Sequence, residues 1–188
     1  MRSRFHVMTL IAGSVLLLSA CSSHFGAGIA ELPASQGWQP LPIGSWVLNE
    51  GLEARSMVFC PRETCAKQGF ASVVAFSGSE AQRMEQALKA DPASLARLFA
   101  KPPPGDDGRG RKKAQPKGPA KSTTTVARFE AEGVAGILVE IRAKDASGKS
   151  AATAILHGRE TDRLVVALAV AQDAEAARRD AVAAWRSR

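Results

Sequence analysis

Four apolar segments in succession, joined by short polar turns, constrain the fold of this chain more than any other feature. They read "TTTVARFEAEG", "GILVEIRA", "SAATAILH" and "RLVVALAVA". Residues of the first two segments alternate between two faces with a period of two, which is typical of β-strands. The turns are too short for crossover helices, so the pattern predicts an antiparallel meander. The last segment is apolar on both faces and is therefore expected to be central or covered on both sides.

The N-terminal half carries three further candidate strands. Ser45–Asn49 and Arg55–Cys60 flank a turn at Asn49-Glu50-Gly51, and Gly69–Ser77 shows the same alternation as the later strands. The globular part of the chain is expected to begin near Trp38, where the large apolar residues begin.

The period then changes from that of a strand to that of a helix. Ser79 is expected to cap one amphipathic helix, and Asp91, followed by a proline, a second short one. Asp173 is expected to cap an alanine-rich helix that extends to about Ser187, with Trp185 docking it onto the sheet. Helices with one apolar side are typical of layers that cover a sheet.

This order predicts an α+β domain with a single, mostly antiparallel sheet of about six or seven strands and helices packed on it. Written β-β-β-α-α-loop-β-β-β-β-α, it resembles the PsbP-like α/β sandwich of many small exported and lipid-anchored proteins. The resemblance covers residues 45–187, with "WVLNEGLEARSMVF" as first hairpin. It implies a group that includes binding and assembly factors, and such a fold does not by itself define a function.

Residues 101–121, "KPPPGDDGRGRKKAQPKGPAK", interrupt this pattern. Five prolines, four glycines and no large apolar residue predict a solvated, disordered loop inside one domain. Seven Lys and Arg against two Asp give the loop most of the chain's net charge of +7. An anionic lipid surface or an acidic cell-wall polymer is the expected partner of its cations; an insertion without any partner is the alternative. The candidate binding residues are Arg109, Arg111, Lys112, Lys113, Lys117 and Lys121.

The first twenty residues have the profile of an export signal. Arg2 and Arg4 precede an uncharged, mainly apolar run over residues 7–18, which is shorter than a membrane span requires. Leu18-Ser19-Ala20-Cys21 then resembles the lipobox of bacterial lipoproteins. The resemblance implies cleavage after Ala20 and a lipid anchor on Cys21. Ser22 is similar to the residue that directs some lipoproteins to the outer membrane, facing the periplasm.

The predicted organisation is therefore a signal peptide at 1–20, a lipidated flexible tether at 21–37 and a domain at 38–188. Two cysteines remain after lipidation, Cys60 and Cys65, and an oxidising compartment favours a disulfide between them. A redox-active pair and a metal site are the alternatives.

No pattern in the sequence predicts a catalytic residue, a metal site or a cofactor. His157 is expected near a strand end, at the surface or with its hydrogen bonds satisfied, and there is no G-x-S-x-G motif. Nucleic acid is not expected as a partner, because the basic loop has no aromatic residue to stack on bases. The expected function is envelope binding or assembly, through lipid, cell-wall polymer or an envelope protein. The alternatives are a hydrolase with a dispersed site and a carrier of a small apolar ligand.

Overall fold

One antiparallel sheet organises the residues described by the computed structural model, which are 28–43, 50–91, 94, 122–144 and 148–188. Its seven strands lie in the order β1-β2-β3-β7-β6-β5-β4, with every neighbouring pair antiparallel. The expected α+β class and strand number are confirmed. The elements are β1 Gln39–Pro40, β2 Leu52–Cys60, β3 Gly69–Phe76, α1 Gly78–Lys89, β4 Ser122–Ala131, β5 Val134–Ala143, β6 Ser150–Glu160, β7 Arg163–Ala171 and α2 Ala174–Arg186.

The predicted strand at Ser45–Asn49 and the loop at 101–121 lie outside the described residues. The second short helix lies mostly outside them as well. Its expected cap is visible, because the Asp91 carboxylate accepts a hydrogen bond of 3.0 Å from the backbone N–H of Ser94.

β7 is the central strand, as its double-sided apolar pattern predicts. β3 and β6 flank it, and its side chains enter the core on both faces of the sheet. The hairpin from β4 to β5 turns through Glu132 and Gly133, both with positive φ, which is the geometry of the tight turns that match strand twist. The meander is therefore held together by local hairpins around one long-range pairing, β3 with β7.

The α2 face of the sheet is built from small residues. Alanines of β3, β6 and β7 meet buried alanines of α2, so the helix lies close to the strands. Asp173 caps this helix by accepting a hydrogen bond of 2.8 Å from the backbone N–H of Ala176, as expected. Trp185 is 2% exposed and rests against Gly158, where a β-carbon would lie 3.1 Å from its ring. Its predicted docking role is confirmed.

The α1 face has larger aliphatic residues, and α1 covers only part of it. The helix begins after β3, and Arg128 of β4 donates hydrogen bonds to the carbonyl oxygens of Leu88 and Ala90 at its end, so α1 crosses the sheet. The prediction of Ser79 as cap is wrong: the N-cap position is Ser77, whose side chain makes no capping hydrogen bond. Gly78 adopts a positive φ of 56°, and the helix starts directly from that turn.

The packed domain begins earlier than Trp38, which corrects the expected tether at 21–37. Ile29 and Leu32 are 2% and 6% exposed and belong to the same core as α2. Glu31 lies between them on the surface and forms an ion pair of 3.3 Å with Arg186 at the end of α2. Residues 28–37 are therefore part of the folded domain.

Candidate functional site

Two clefts open at the end of the sheet where β3 begins and β7 ends, which we call the disulfide end. One lies on the α2 face and one on the α1 face. Gln68, Gly69, Ala171 and Gln172 line both clefts, so the start of β3 and the end of β7 form the wall between them.

The loop from Cys60 to Cys65 forms one side of the first cleft. The two sulfurs lie at bonding distance, with their Cα atoms 5.8 Å apart, as the predicted pairing requires. Thr64 Oγ1 donates a 3.0 Å hydrogen bond to the carbonyl of Gly37, whose φ is +93°. A β-carbon at Gly37 would lie 2.6 Å from the Cys65 sulfur. The loop therefore fastens the N-terminal segment against the sheet, and only glycine fits beneath it.

We expect loss of this disulfide to lower the free energy of unfolding by about 2 kcal/mol, the chain-entropy value for so short a loop. The variant is Cys60→Ser with Cys65→Ser, measured by urea denaturation under oxidising conditions. Wild-type protein treated with a reducing agent serves as the control and should behave like the variant. Equal stability of the oxidised and reduced wild type would contradict this expectation.

The first cleft, here called the disulfide cleft, has a volume of about 480 Å³ and a polar lining. Lys67 forms an ion pair of 3.0 Å with Asp173. The pKa of Asp173 is lowered, first by the hydrogen bond from the Ala176 N–H and then by the one from Lys67. Glu175 and Arg179 also line this cleft. Its charges are therefore of mixed sign and largely paired with each other.

Asp180 is the unusual residue of the disulfide cleft. It is 3% exposed, and its Oδ1 accepts a hydrogen bond of 3.1 Å from Nε of Arg179. Burial raises the pKa of the Asp180 carboxyl, and the Arg179 charge opposes that rise without cancelling it. A buried carboxylate at the wall of a cleft is a common feature of binding sites.

Asp180→Asn is expected to stabilise the protein at neutral pH. The folded-state pKa lies above the ordinary value of 3.8, so ionisation of Asp180 favours unfolding. The gain in melting temperature should be largest at pH 7 and should shrink as the pH falls through the raised pKa toward 3.8. The control is Asp173→Asn, which should destabilise at pH 7, because the folded-state pKa of Asp173 is lowered instead. A lower melting temperature for Asp180→Asn at pH 7 would refute the assignment.

The second cleft, here called the basic cleft, lies on the part of the α1 face that α1 leaves uncovered. Phe59, Phe70 and Val170 form its floor in one row across β2, β3 and β7. Arg62 and Lys149 stand at its rim. Its volume is about 530 Å³, within the size range of small-ligand sites.

The prediction for His157, a position at the surface or a side chain with its hydrogen bonds satisfied, is wrong. It is 9% exposed, lies within β6 opposite Val166, and its Nε2 has no hydrogen-bond partner among the described residues. Burial lowers the pKa of the His157 imidazole, and the nearby Arg128 charge lowers it further. Both effects favour the neutral form of the ring. His157 is not among the residues that line either cleft at the disulfide end.

The other predicted site residues cannot be placed against these clefts. Cys21 and the six cations of the basic loop lie outside the described residues. Within the described ranges, no group of three or more His, Cys, Asp or Glu side chains could hold a metal ion.

One sequence signal could have indicated the disulfide cleft. Asp180 falls three residues after Ala177 and four before Ala184, on the apolar side of an otherwise alanine-rich helix. Comparison with known proteins adds no assignment to these clefts: no protein-family model and no curated protein matches this sequence.

Proposed function

We propose that this chain is a lipoprotein of the bacterial cell envelope, held at the outer membrane on its periplasmic side, with a binding or assembly role rather than a catalytic one. The observation that carries the proposal is Leu18-Ser19-Ala20-Cys21, which follows a positively charged start and an uncharged apolar run. Two or three acyl chains on Cys21 would make release from the bilayer negligible. Among the described helices, none could span a bilayer.

The early start of the domain supports a position close to the bilayer. Only seven residues separate Cys21 from Ile29, the first core residue. Seven residues reach at most about 25 Å even when fully extended. A lipid on Cys21 would thus keep Ile29 within about 25 Å of the anchored residue.

Two features of the described residues support binding over catalysis. Both clefts at the disulfide end are large enough for a small ligand, and none of the described residues that line them is a histidine. Nucleophilic hydrolysis needs a nucleophile and a base within hydrogen-bond reach, and His157 lies elsewhere, buried within β6.

The basic loop is the proposed second contact with the envelope. Its cations would gain up to about 1 kcal/mol each near an acidic surface, and less where salt screens them. Flotation with vesicles containing anionic lipid tests this part, with the loop's Lys and Arg changed to Gln as comparison. Equal flotation of both proteins would contradict a role for the loop in lipid binding.

The anchor is tested by mass spectrometry of the protein made in a bacterial host. We expect an N-terminus at Cys21 carrying a diacylglyceryl group and a further acyl chain, and recovery in the membrane fraction. Cys21→Ser should abolish both results, while the neighbouring Ser22→Ala should retain acylation. An unprocessed N-terminus, or an acyl-free Cys21 in the wild type, would overturn the proposal.

A further inference from the structure

The floor of the basic cleft offers apolar surface to solvent. Phe59, Phe70 and Val170 are each only partly buried, and pairing of β2, β3 and β7 places them side by side. α1 lies nearer the opposite end of this face, where Glu85 bonds to Arg159 of β6. The described elements therefore leave an apolar strip at the disulfide end that can accept an apolar group.

The charged side chains among the described residues of this cleft's rim are both positive. The described residues that line it include Arg62 and Lys149 but no carboxylate. Arg62 Nε donates a hydrogen bond of 3.0 Å to the Gln68 side chain, which orients the guanidinium. Its two Nη groups make no hydrogen bond within the described residues, and paired N–H donors of this kind match the two oxygens of a carboxylate.

We propose that the basic cleft binds a fatty acid. The carboxylate binds the Nη groups of Arg62 at the rim, and the acyl chain lies along Phe59, Phe70 and Val170. A ligand with only a charge would leave the apolar floor in water, and one without charge would leave the Nη donors of Arg62 without an anion to bind. This assignment goes beyond the proposed envelope role and does not depend on acylation of Cys21.

The disulfide cleft provides the internal comparison. It opens at the same end of the sheet, but Asp173, Glu175 and Asp180 line it beside Lys67 and Arg179. An anionic ligand would meet those carboxylates there. The two clefts should therefore differ in their preference for an acidic amphiphile, and a charge reversal in one should not affect binding in the other.

The proposal is tested by calorimetric titration of decanoate, decylamine and decanol into a shortened form of the protein that starts at Ser22. This form lacks Cys21 and keeps every described residue from Gly28 onward. We expect decanoate to bind and decylamine to bind at least about tenfold more weakly. Each methylene added between hexanoate and decanoate should tighten binding about fourfold, because it buries more apolar surface.

Two charge reversals locate the site. Arg62→Glu should weaken decanoate binding about tenfold or more, whereas Lys67→Glu, the same reversal of charge in the disulfide cleft, should leave it within about twofold. In a parallel nuclear magnetic resonance titration, decanoate should shift the backbone amides of Phe70 and Val170. Circular dichroism of both variants establishes that they fold.

Several outcomes would overturn the proposal. Equal binding of decanoate and decylamine, equal effects of Arg62→Glu and Lys67→Glu, or amide shifts away from Phe70 and Val170 would each exclude this site. Concentration-dependent dimerisation that shifts the same amides would assign the cleft to a second copy of the chain. Shifts of these amides on substitution of Leu95 or Phe99 would assign it to the chain's own residues 95–100. None of these results would change the outcome of the mass-spectrometric test for acylation of Cys21, so the two proposals can fail independently.

Discussion

Trp185→Ala lowers the free energy of unfolding by about 3–5 kcal/mol, the largest effect that we expect from a single truncation in this protein. Trp185 is the one large side chain on the buried side of α2, where the other buried apolar residues are alanines. Its ring fills the space above Gly158. Neighbouring alanines are too small to close the cavity that its removal would leave. Urea denaturation followed by circular dichroism at pH 7 measures the loss.

Trp185→Phe is the matched control. It keeps an aromatic ring over Gly158 and removes the indole Nε1, which is buried and has no hydrogen-bond partner in the described part of the chain. An unpartnered buried donor costs about 1–3 kcal/mol, and its removal offsets part of the lost volume. We therefore expect Trp185→Phe to stay within about 1.5 kcal/mol of wild type. Similar losses for the Ala and Phe variants would show that ring packing is not the source of the stability.

Ile29→Asp is expected to destabilise the protein by about 3–5 kcal/mol, because it places an unpaired carboxylate in the core beside α2. Ile29 is 2% exposed and belongs to the core cluster that contains Trp185. The effect distinguishes a folded N-terminal segment from a tether, since a residue in a tether tolerates a charge at little cost. Thermal and urea denaturation of the chain from Ser22 provide the measurement.

Ala30→Asp provides the control at the next position. Ala30 is exposed, so the same new charge should change stability by no more than about 0.5 kcal/mol. If Ile29→Asp and Ala30→Asp are equally stable, the domain does not begin before Trp38.

The sheet and α2 could be predicted because their signals are local. The continuous apolar run in "RLVVALAVA" indicates a strand buried on both faces, and in the structure β7 is central and covered on both sides. The polar turns between the last four strands fix antiparallel pairing, and Asp173 marks the start of α2 by an ordinary capping preference.

The start of the domain could not be predicted in the same way. Ile29 and Leu32 stand in a stretch of Gly, Ala, Ser and Pro without strand or helix periodicity. They are buried by contact with α2, which is about 150 residues later in the chain. Neither the composition of this stretch nor its place in the sequence predicts a contact with α2.

The clefts at the disulfide end were missed for a related reason. Each is lined by residues from the loop after β2 and by residues at the end of β7. The pairing of β3 with β7 brings these two parts of the chain together. Arg62 and Lys149 look like ordinary surface cations in the sequence. Only the register that aligns Phe70 with Val170 reveals the apolar floor near them.

The β3–β7 pairing also affects the order in which the strands fold. Its partners are about 95 positions apart, so bringing them together is entropically slower than closing the hairpins of β4 to β7. We expect the C-terminal meander to assemble first and to serve as a template for β2, β3 and α1. Until β7 has formed, the N-terminal strands lack their main neighbour and need protection from aggregation.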